Sequence, residues 1–403
     1  MRLWQTIGGV LLLLLVSGCS TISNLNPFKD GPEKSSASKD VTGIPAFVEP
    51  QVRESTGLTR IWKESVARSA GKFRQHPGQI VVTGEDVFVG TYQGRVVRVS
   101  RESGRSLWEV TIGEQVTGGV AVDERRVFAG TRTGEMVALS RDTGEVLWRT
   151  GGFSPIASAP AVGGGRVVFM TLDNQTYALN ATDGKRMWKH STPPEALVVQ
   201  GAATPVIEGP VVFVGYSSGD LFTLHLESGN VLWTENLSVS GGRSELDLLQ
   251  GIKASVVVGR DEGPMAGGRK LYAVNHQGRA VALLPRNGAR IWEHKMSAVR
   301  RPWLGNRQLY FSDMDGYVVA LSAGEGLELW RTRVSDGLLS APVSLGNKVV
   351  VADDRGRLLA LDSSSGRVIG MDRLGDAILA DPVLLDDRLF LWSNDGNLMR
   401  YDF

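Results

Sequence analysis

The sequence predicts an all-β protein, an eight-bladed β-propeller of four-stranded antiparallel blades, closed by an N-terminal strand at residues 58–62 that completes the last blade. Three periodic features predict this fold. A short apolar run recurs at intervals of about 40 residues, a turn residue follows each run at a fixed distance, and an outer tryptophan follows later.

The apolar runs open each repeat, and the residue seven positions after each start is a turn residue. That residue is Gly in every repeat except the third, where it is Asn174. Gly and Asn tolerate positive φ best, so run, turn and second apolar run predict a hairpin. The eight runs begin at Val87, Val127, Val167, Val212, Leu271, Leu309, Val349 and Leu389.

A second turn glycine precedes a tryptophan by four residues in six repeats, and Gly370 stands in the tryptophan position of the seventh. One tryptophan at the same place in successive blades predicts a packing element between sheets rather than a ligand platform. A further short strand, often opened by a proline, precedes the next run and completes four strands. The tryptophans are Trp108, Trp148, Trp188, Trp233, Trp292 and Trp330.

The eighth repeat ends at Phe403, before a second turn and before a tryptophan. The stretch GLTRIW at 57–62 carries Leu58, Ile61 and Trp62 with no hairpin before it. A closed ring leaves only short sheet edges, so this stretch is predicted to be the outer strand of blade eight.

The N-terminus predicts export and lipidation. Residues 1–18 combine a basic Arg2 with an apolar core and small residues, as in a signal peptide, and Cys19 is the single cysteine of 403 residues. This arrangement resembles a bacterial lipobox, which implies acylation of Cys19 and a stable membrane anchor. Residue 20 is Ser and not Asp, and by resemblance to Gram-negative lipoproteins the lack of Asp there favours the outer membrane over retention at the inner one.

Residues 19–57 are predicted to be the lipidated cysteine and a flexible tether, since they are rich in Pro, Ser, Gly and charged residues. Ile44, Phe47 and Val48 are the residues of this tether that we expect to dock on the propeller. Residues 58–403 form the propeller.

Composition gives no sign of nucleic-acid binding or of a metal centre. The net charge is +1, so no global field favours nucleic acid, and the five His residues are scattered. We expect no metal, no catalytic residues and no cofactor.

Two insertions distinguish the otherwise uniform blades. The usual step from a tryptophan to the next run is 19 residues, but it is 24 after Trp188 and 38 after Trp233. Both insertions join an outer strand to the next inner strand, which places them side by side on one face. Their apolar and charged residues predict a protein-binding patch, with tolerated loop variation as the alternative. The stretch at 259–269 is expected on the opposite face.

The motifs DTGEVLW, ESGRSLW and DGYVVALS resemble the repeat named after pyrroloquinoline quinone enzymes, over about residues 58–403. Because these motifs occur together with a lipobox, and no domain other than the blades is predicted, the chain resembles the BamB family of outer-membrane lipoproteins. The resemblance implies a non-enzymatic scaffold of the β-barrel assembly (BAM) complex on the periplasmic face of the outer membrane. It also implies binding to the POTRA domains of BamA and help in inserting outer-membrane barrels.

The same resemblance implies the contact residues. Residues 197–201 match a Leu-x-Leu-Arg-Gly loop of the family with Gln200 in place of Arg. Residues 243–249 match an Arg-Ser-Glu-Ile-Asp-Arg-Leu segment with Leu248 in place of the second Arg. Gly251 and Lys253 stand where the family has an acidic pair, so charge-assisted contacts are lost there. The predicted partner-binding residues are Leu197, Val199, Gln200, Arg243, Glu245, Asp247, Gly251 and Lys253.

Two alternatives to the scaffold hypothesis stay open. A quinone-dependent dehydrogenase is disfavoured because the mature chain has no cysteine pair, and the acidic pairs 313/315 and 353/354 fit turn positions better. A generic envelope adaptor would share all these features. Within the scaffold hypothesis, blade edges are expected to pair transiently with nascent barrel strands.

Overall fold

The computed structural model describes residues 47–69, 79–113, 115–193, 202–238, 251–260, 268–276 and 278–403. Its strands form eight four-stranded antiparallel sheets, the blades, arranged in a ring. Blade one contains β2 (Ile80–Val82), β3 (Asp86–Gly90), β4 (Arg95–Ser100) and β5 (Ser106–Thr111), and blade two contains β6 (Val116–Val122), β7 (Arg126–Thr131), β8 (Met136–Ser140) and β9 (Val146–Thr150). Blade three contains β10 (Ala161–Gly163), β11 (Arg166–Met170), β12 (Gln175–Asn180) and β13 (Arg186–Ser191), and blade four contains β14 (Val206–Glu208), β15 (Val211–Gly215), β16 (Asp220–His225) and β17 (Val231–Asn236).

The other four blades follow the same order except at the chain ends. Blade five contains β18 (Val257–Arg260), β19 (Arg269–Val274), β20 (Gly278–Leu283) and β21 (Arg290–Met296), and blade six contains β22 (Trp303–Gly305), β23 (Gln308–Ser312), β24 (Tyr317–Ser322) and β25 (Glu328–Arg333). Blade seven contains β26 (Val343–Leu345), β27 (Lys348–Ala352), β28 (Arg357–Asp362) and β29 (Val368–Arg373), and blade eight contains β30 (Val383–Leu385), β31 (Arg388–Trp392), β32 (Asn397–Asp402) and β1 (Thr59–Ser65).

The alternation of strand direction gives the ring two distinct faces. We call one the loop face: it carries the turns between second and third strands, such as 91–94, and the connections between blades, such as 151–160. We call the other the hairpin face: it carries the remaining turns, such as 83–86 and 101–105. The 259–269 stretch joins β18 to β19, so its ends lie on the hairpin face, as predicted.

The hydrophobic core lies between neighbouring blades. Second and third strands are apolar on both faces because each face packs on another blade; Val349, Val350 and Val351 are at most 1% exposed. The B–C turns (second to third strand) have the predicted backbone, since Asn174 takes the left-handed conformation at φ 57°.

The tryptophans join seven of the eight pairs of neighbouring blades, as predicted. Trp188 is buried, and its indole Nε1 donates a hydrogen bond to the carbonyl of Leu226 in the following blade at 2.8 Å. Its ring also lies on the second turn glycine of that blade, where a Cβ on Gly229 would come within 2.7 Å of the indole. The same indole-to-carbonyl bond recurs at Trp62, Trp108, Trp148, Trp233, Trp292 and Trp330.

The predicted closure of the ring is confirmed. β1 pairs with β32 as the outer strand of blade eight, with Thr59 opposite Asp402 and Ser65 opposite Asn397. The strand runs three residues beyond the predicted end at Trp62. Trp62 then packs on Gly104 of blade one, so the interface of blades eight and one uses the same contact as the tryptophan interfaces.

The seam also explains why blade seven has Gly370 in place of tryptophan. A tryptophan there would need the second turn glycine of blade eight, but β32 and β1 are not joined by a turn. Residues 54–57 take that space instead: a Cβ on residue 370 would lie 2.8 Å from the Cα of Thr56. Gly370 is therefore required by the incoming N-terminal segment.

The chain divides into two units, residues 1–46 and 47–403. Phe47 contacts the propeller, as expected for the docking part of the tether, whereas Val48 is 80% exposed and Ile44 lies outside the described residues. No helix in the described part of the chain is long and apolar enough to cross a membrane.

Candidate partner-binding site on the loop face

The structure brings the ends of both insertions to the loop face of three consecutive blades. Residues 194–201 connect β13 to β14, and residues 239–250 lie between β17 and β18. Each insertion therefore leaves from an outer strand and returns to an inner strand of the next blade. The adjacency expected for the two insertions holds for their described ends.

Most of the predicted contact residues lie outside the described residues. These are Leu197, Val199 and Gln200 of the first insertion and Arg243, Glu245 and Asp247 of the second. Cys19 also lies outside them. Gly251 and Lys253 are described, and both follow the second insertion directly.

Gly251 fits a close backbone approach. A Cβ at this position would lie 3.0 Å from the Cα and carbonyl oxygen of Ser217, in the B–C turn of blade four. Its own carbonyl accepts a hydrogen bond from the amide of His276 at 3.0 Å. This packing within the chain is enough to explain a glycine at position 251. Its predicted role in binding a partner protein stays a prediction.

Lys253 is partly buried, and burial lowers the pKa of its ammonium group to about 8. Removal from water makes the charged form of this ammonium group less stable than that of an exposed lysine. Lys253 therefore loses its proton at a lower pH than an exposed lysine does, and it lies beside the end of the second insertion.

The described ends of the insertions are fixed by hydrogen bonds to backbone carbonyls of neighbouring turns. The Thr192 hydroxyl donates to the Asn174 carbonyl at 3.1 Å, and the amide of Leu237 donates to Gly219 at 2.9 Å. On the return side, the amide of Ile252 donates to the carbonyl of Tyr216 at 3.0 Å. The scaffold therefore holds the roots of both insertions rigidly.

An aromatic cluster supports these roots, and sequence reasoning missed it. The His190 ring lies 4.9 Å from Phe222 and 6.0 Å from Tyr216, measured between ring centroids. The Tyr216 and Thr176 hydroxyls are hydrogen-bonded at 2.6 Å. Burial lowers the pKa of His190 and raises that of Tyr216, so both rings favour the neutral form. The signal available in the sequence was a tyrosine at a turn position where the other blades carry small polar residues.

A central channel runs along the inner strands and contains a cavity of about 430 Å³. The Thr204 hydroxyl donates to Gln79 Oε1 at 2.9 Å, joining blade four to blade one across the channel. Asp381 also lines it, and burial raises the pKa of this carboxyl, although Arg300 and Arg301 act in the opposite direction. Gly251 and Lys253 do not line this cavity.

The acidic pairs of blades six and seven are turn residues, as predicted. Asp313 Oδ1 accepts the amides of Asp315 and Tyr317 at 2.9 and 2.8 Å, and Asp353 Oδ1 accepts those of Arg355 and Arg357 at 3.1 and 2.9 Å. Among the described residues, no group of three His, Cys, Asp or Glu side chains is placed to hold a metal ion.

The sequence matches the family model described as "Outer membrane protein assembly factor BamB" over residues 92–332 and 314–403. A curated relative of that name from Pseudomonas aeruginosa is 40% identical over 295 residues, covering 73% of this chain and 71% of the relative. The chain belongs to the BamB family. The identity is lower elsewhere in the family: the Salmonella typhimurium relative is 26% identical over 303 residues.

Solved structures give the same architecture. The crystal structure of BamB from Moraxella catarrhalis matches with a TM-score of 0.77 at 22% identity, covering 86% of this chain and all of that one. A quinohemoprotein alcohol dehydrogenase from Comamonas testosteroni matches with a TM-score of 0.68 at 13% identity. At these identities both structures show the shared propeller fold alone.

Proposed function

We propose that this chain is a non-enzymatic scaffold lipoprotein of the outer-membrane β-barrel assembly machinery. It is anchored through acylated Cys19 on the periplasmic face of the outer membrane, and it binds the POTRA domains of the barrel subunit BamA. Membership of the BamB family supports the assembly role, since relatives across the family carry the name of an outer membrane protein assembly factor.

One structural observation carries the choice of surface. The two insertions that distinguish this chain's blades have their roots side by side on the loop face, held by hydrogen bonds to Asn174, Gly219 and Tyr216. A rigid scaffold that presents variable loops is the usual arrangement of a binding surface. We assign the contact to residues 194–201 and 239–253.

The proposal includes pairing of nascent barrel strands with the blade edges. The outer strands support it, because Leu107, Leu147 and Leu232 are each about half exposed on them, at 51–52%. Exposed strand edges with apolar side chains suit the addition of an extended segment. Our assignment of this role stays a prediction.

Co-purification from detergent-solubilised envelopes tests the scaffold function. We expect the barrel subunit to elute with the tagged chain, and Glu245→Arg to lower its yield by roughly tenfold, which corresponds to about 1.4 kcal/mol of binding energy. The matched control is Glu124→Arg, an equal charge reversal at an exposed turn of the hairpin face. A folded propeller that elutes without the barrel subunit would contradict the proposed function.

A further inference from the structure

The outer edge of blade seven is a groove occupied by an extended segment of the same chain, residues 47–57. We propose that this segment is a releasable strap, and that its docking decides from which face of the propeller the N-terminal chain departs. The proposal concerns the propeller itself. It rests on the proposed function only in that the chain preceding the strap leads to the lipid anchor at Cys19.

The strap begins on the loop face. The ring of Phe47 lies between two guanidinium groups, 5.6 Å from Arg333 and 5.7 Å from Arg357, measured to the ring centroid. Arg333 is the last residue of β25 and Arg357 the first residue of β28, so both mark the loop-face ends of their strands. Glu49 extends this contact through ion pairs with Arg357 at 3.2 Å and Arg373 at 3.5 Å.

The middle of the strap follows β29 as an added edge segment. The amide of Met371 donates a hydrogen bond to the carbonyl of Glu54 at 2.9 Å, and the amide of Thr56 donates to Asp372 Oδ2 at 3.2 Å. Thr56 is 1% exposed and fills the space beside Gly370. The groove therefore recognises an extended backbone with a small side chain at one buried position.

The strap ends on the hairpin face. Lys348 Nζ donates to the carbonyl of Thr56 at 2.8 Å, and Lys348 is the first residue of β27, next to a hairpin-face turn. Gly57 then takes a φ of 79°, which reverses the chain into β1. β1 starts at Thr59 opposite Asp402, at the hairpin-face end of blade eight.

The strap thus crosses the full height of the ring. When it is docked, the preceding chain joins the propeller at Phe47 on the loop face, the face of the two insertions. When it is released, the chain joins at Thr59 on the hairpin face. Release is favoured at the loop-face end by the Glu49–Arg373 ion pair, whose side chains are 42% and 73% exposed, since exposed pairs contribute little stability; the other partner of Glu49, Arg357, is 3% exposed. β1, in contrast, pairs with β32 from Thr59 to Ser65, with one bulge between Arg60 and Trp62.

The test compares three variants of the full chain by hydrogen exchange and by trypsin cleavage after Arg53. Gly370→Trp restores the side chain that the other blades carry and should expel residues 54–57. Phe47→Ala with Glu49→Ala removes the loop-face contacts and leaves the groove intact. Val48→Ala is the matched control, because Val48 is 80% exposed on the same strap.

We expect exchange in residues 47–57 to be faster by roughly tenfold or more in Gly370→Trp and in the double variant, with β1 still protected. Val48→Ala should match the unaltered chain. Two results overturn the proposal: exchange of 47–57 at the rate of an unfolded peptide in the unaltered chain, or equal protection in the double variant and in Val48→Ala. The double variant decides the matter if Gly370→Trp does not fold.

The change of face is tested by distances between spin labels in a Cys19→Ser chain. A label at Val48 is paired with one at Arg132 on the loop face or at Asp142 on the hairpin face, both in blade two. Gly370→Trp should lengthen the distance between labels at Val48 and Arg132 and broaden both distance distributions, whereas unchanged distances would contradict the proposal. These measurements use the purified chain without a partner, so they stand or fall independently of the co-purification test.

Discussion

At the scale of single residues, each tryptophan and the second turn glycine of the next blade form one structural unit. Trp188 illustrates it: the indole bonds to Leu226 and its ring lies on Gly229, which has a φ of 73°. The glycine is required twice, once for its backbone conformation and once for the ring that covers it. An interface between two blades therefore loses both residues together or keeps both.

The variants Gly229→Ala and Gly209→Ala separate these two requirements. Both glycines have positive φ, 73° and 58°, but nothing lies within 4 Å of a Cβ on Gly209. We expect Gly209→Ala to cost about 1 kcal/mol of unfolding free energy for the strained backbone. Gly229→Ala should cost roughly 1–3 kcal/mol more, since the methyl group overpacks against Trp188. Urea denaturation measures both; equal costs would show that the ring contact contributes nothing.

Asp381 should make stability depend on pH in an unusual direction. Burial raises the pKa of this carboxyl in the folded chain, so between the unfolded and folded pKa values the folded state binds more protons. Its contribution to stability is present below the unfolded pKa and is lost as pH rises through that interval. Asp381→Asn should therefore raise the denaturation midpoint at pH 7, with a smaller gain towards pH 4.

The control for this pH series is Asp387→Asn, an exposed turn residue of blade eight. It should leave the pH profile unchanged. A gain from Asp381→Asn that is equal at both pH values would mean that the carboxyl is not desolvated in the folded chain.

At the scale of elements, the strands were predictable because both neighbours of each blade impose the same pattern. The second and third strands of a blade, such as β27 and β28, are buried on both faces, and this burial favours continuous apolar runs. The turns that join these strands favour Gly or, in blade three, Asn174. The sequence also predicted β1, since Trp62 repeats the packing signal.

The strap was less predictable for a physical reason. Beyond the side-chain contacts of Phe47 and Glu49, the strap also contacts blade seven through backbone groups, the carbonyls of Glu54 and Thr56, which leave no residue pattern. The sequence signal was an absence, Gly370 in a tryptophan position, and it became meaningful only when the groove was seen. The prediction of a tether over 19–57 included docking at Phe47, but not the course of residues 49–57 along blade seven.

Closure by β1 predicts that two deletions near the N-terminus differ strongly. Removing 58–62 takes away Trp62, 9% exposed, and part of the β32 ladder, and should cost at least about 3 kcal/mol for the tryptophan alone. Removing 23–40 should leave the unfolding free energy unchanged within about 0.5 kcal/mol, as substitutions away from packed features do. Chemical denaturation of both chains checks this, and equivalent losses would contradict closure.

At the scale of the whole molecule, the sequence predicted on which face the two insertions begin and end, whereas the binding surface assigned to them stays a prediction. Insertion lengths after Trp188 and Trp233 indicated this face, because loop positions follow from the order of strands in a blade. The chemistry was harder to foresee. Lys253 has an ammonium group weakened by burial, and Gly251 has a packing role; both depend on neighbours distant in sequence.

The proposal that the loop face binds the barrel subunit is tested most directly by site-specific photo-crosslinking in cells. Crosslinking groups are placed at 197, 200, 243 and 247, with control positions at Glu124 and Asp142 on the hairpin face. We predict crosslinks to the POTRA domains from the first set and none from the controls. Crosslinks from the hairpin face alone would contradict the assignment of the binding surface.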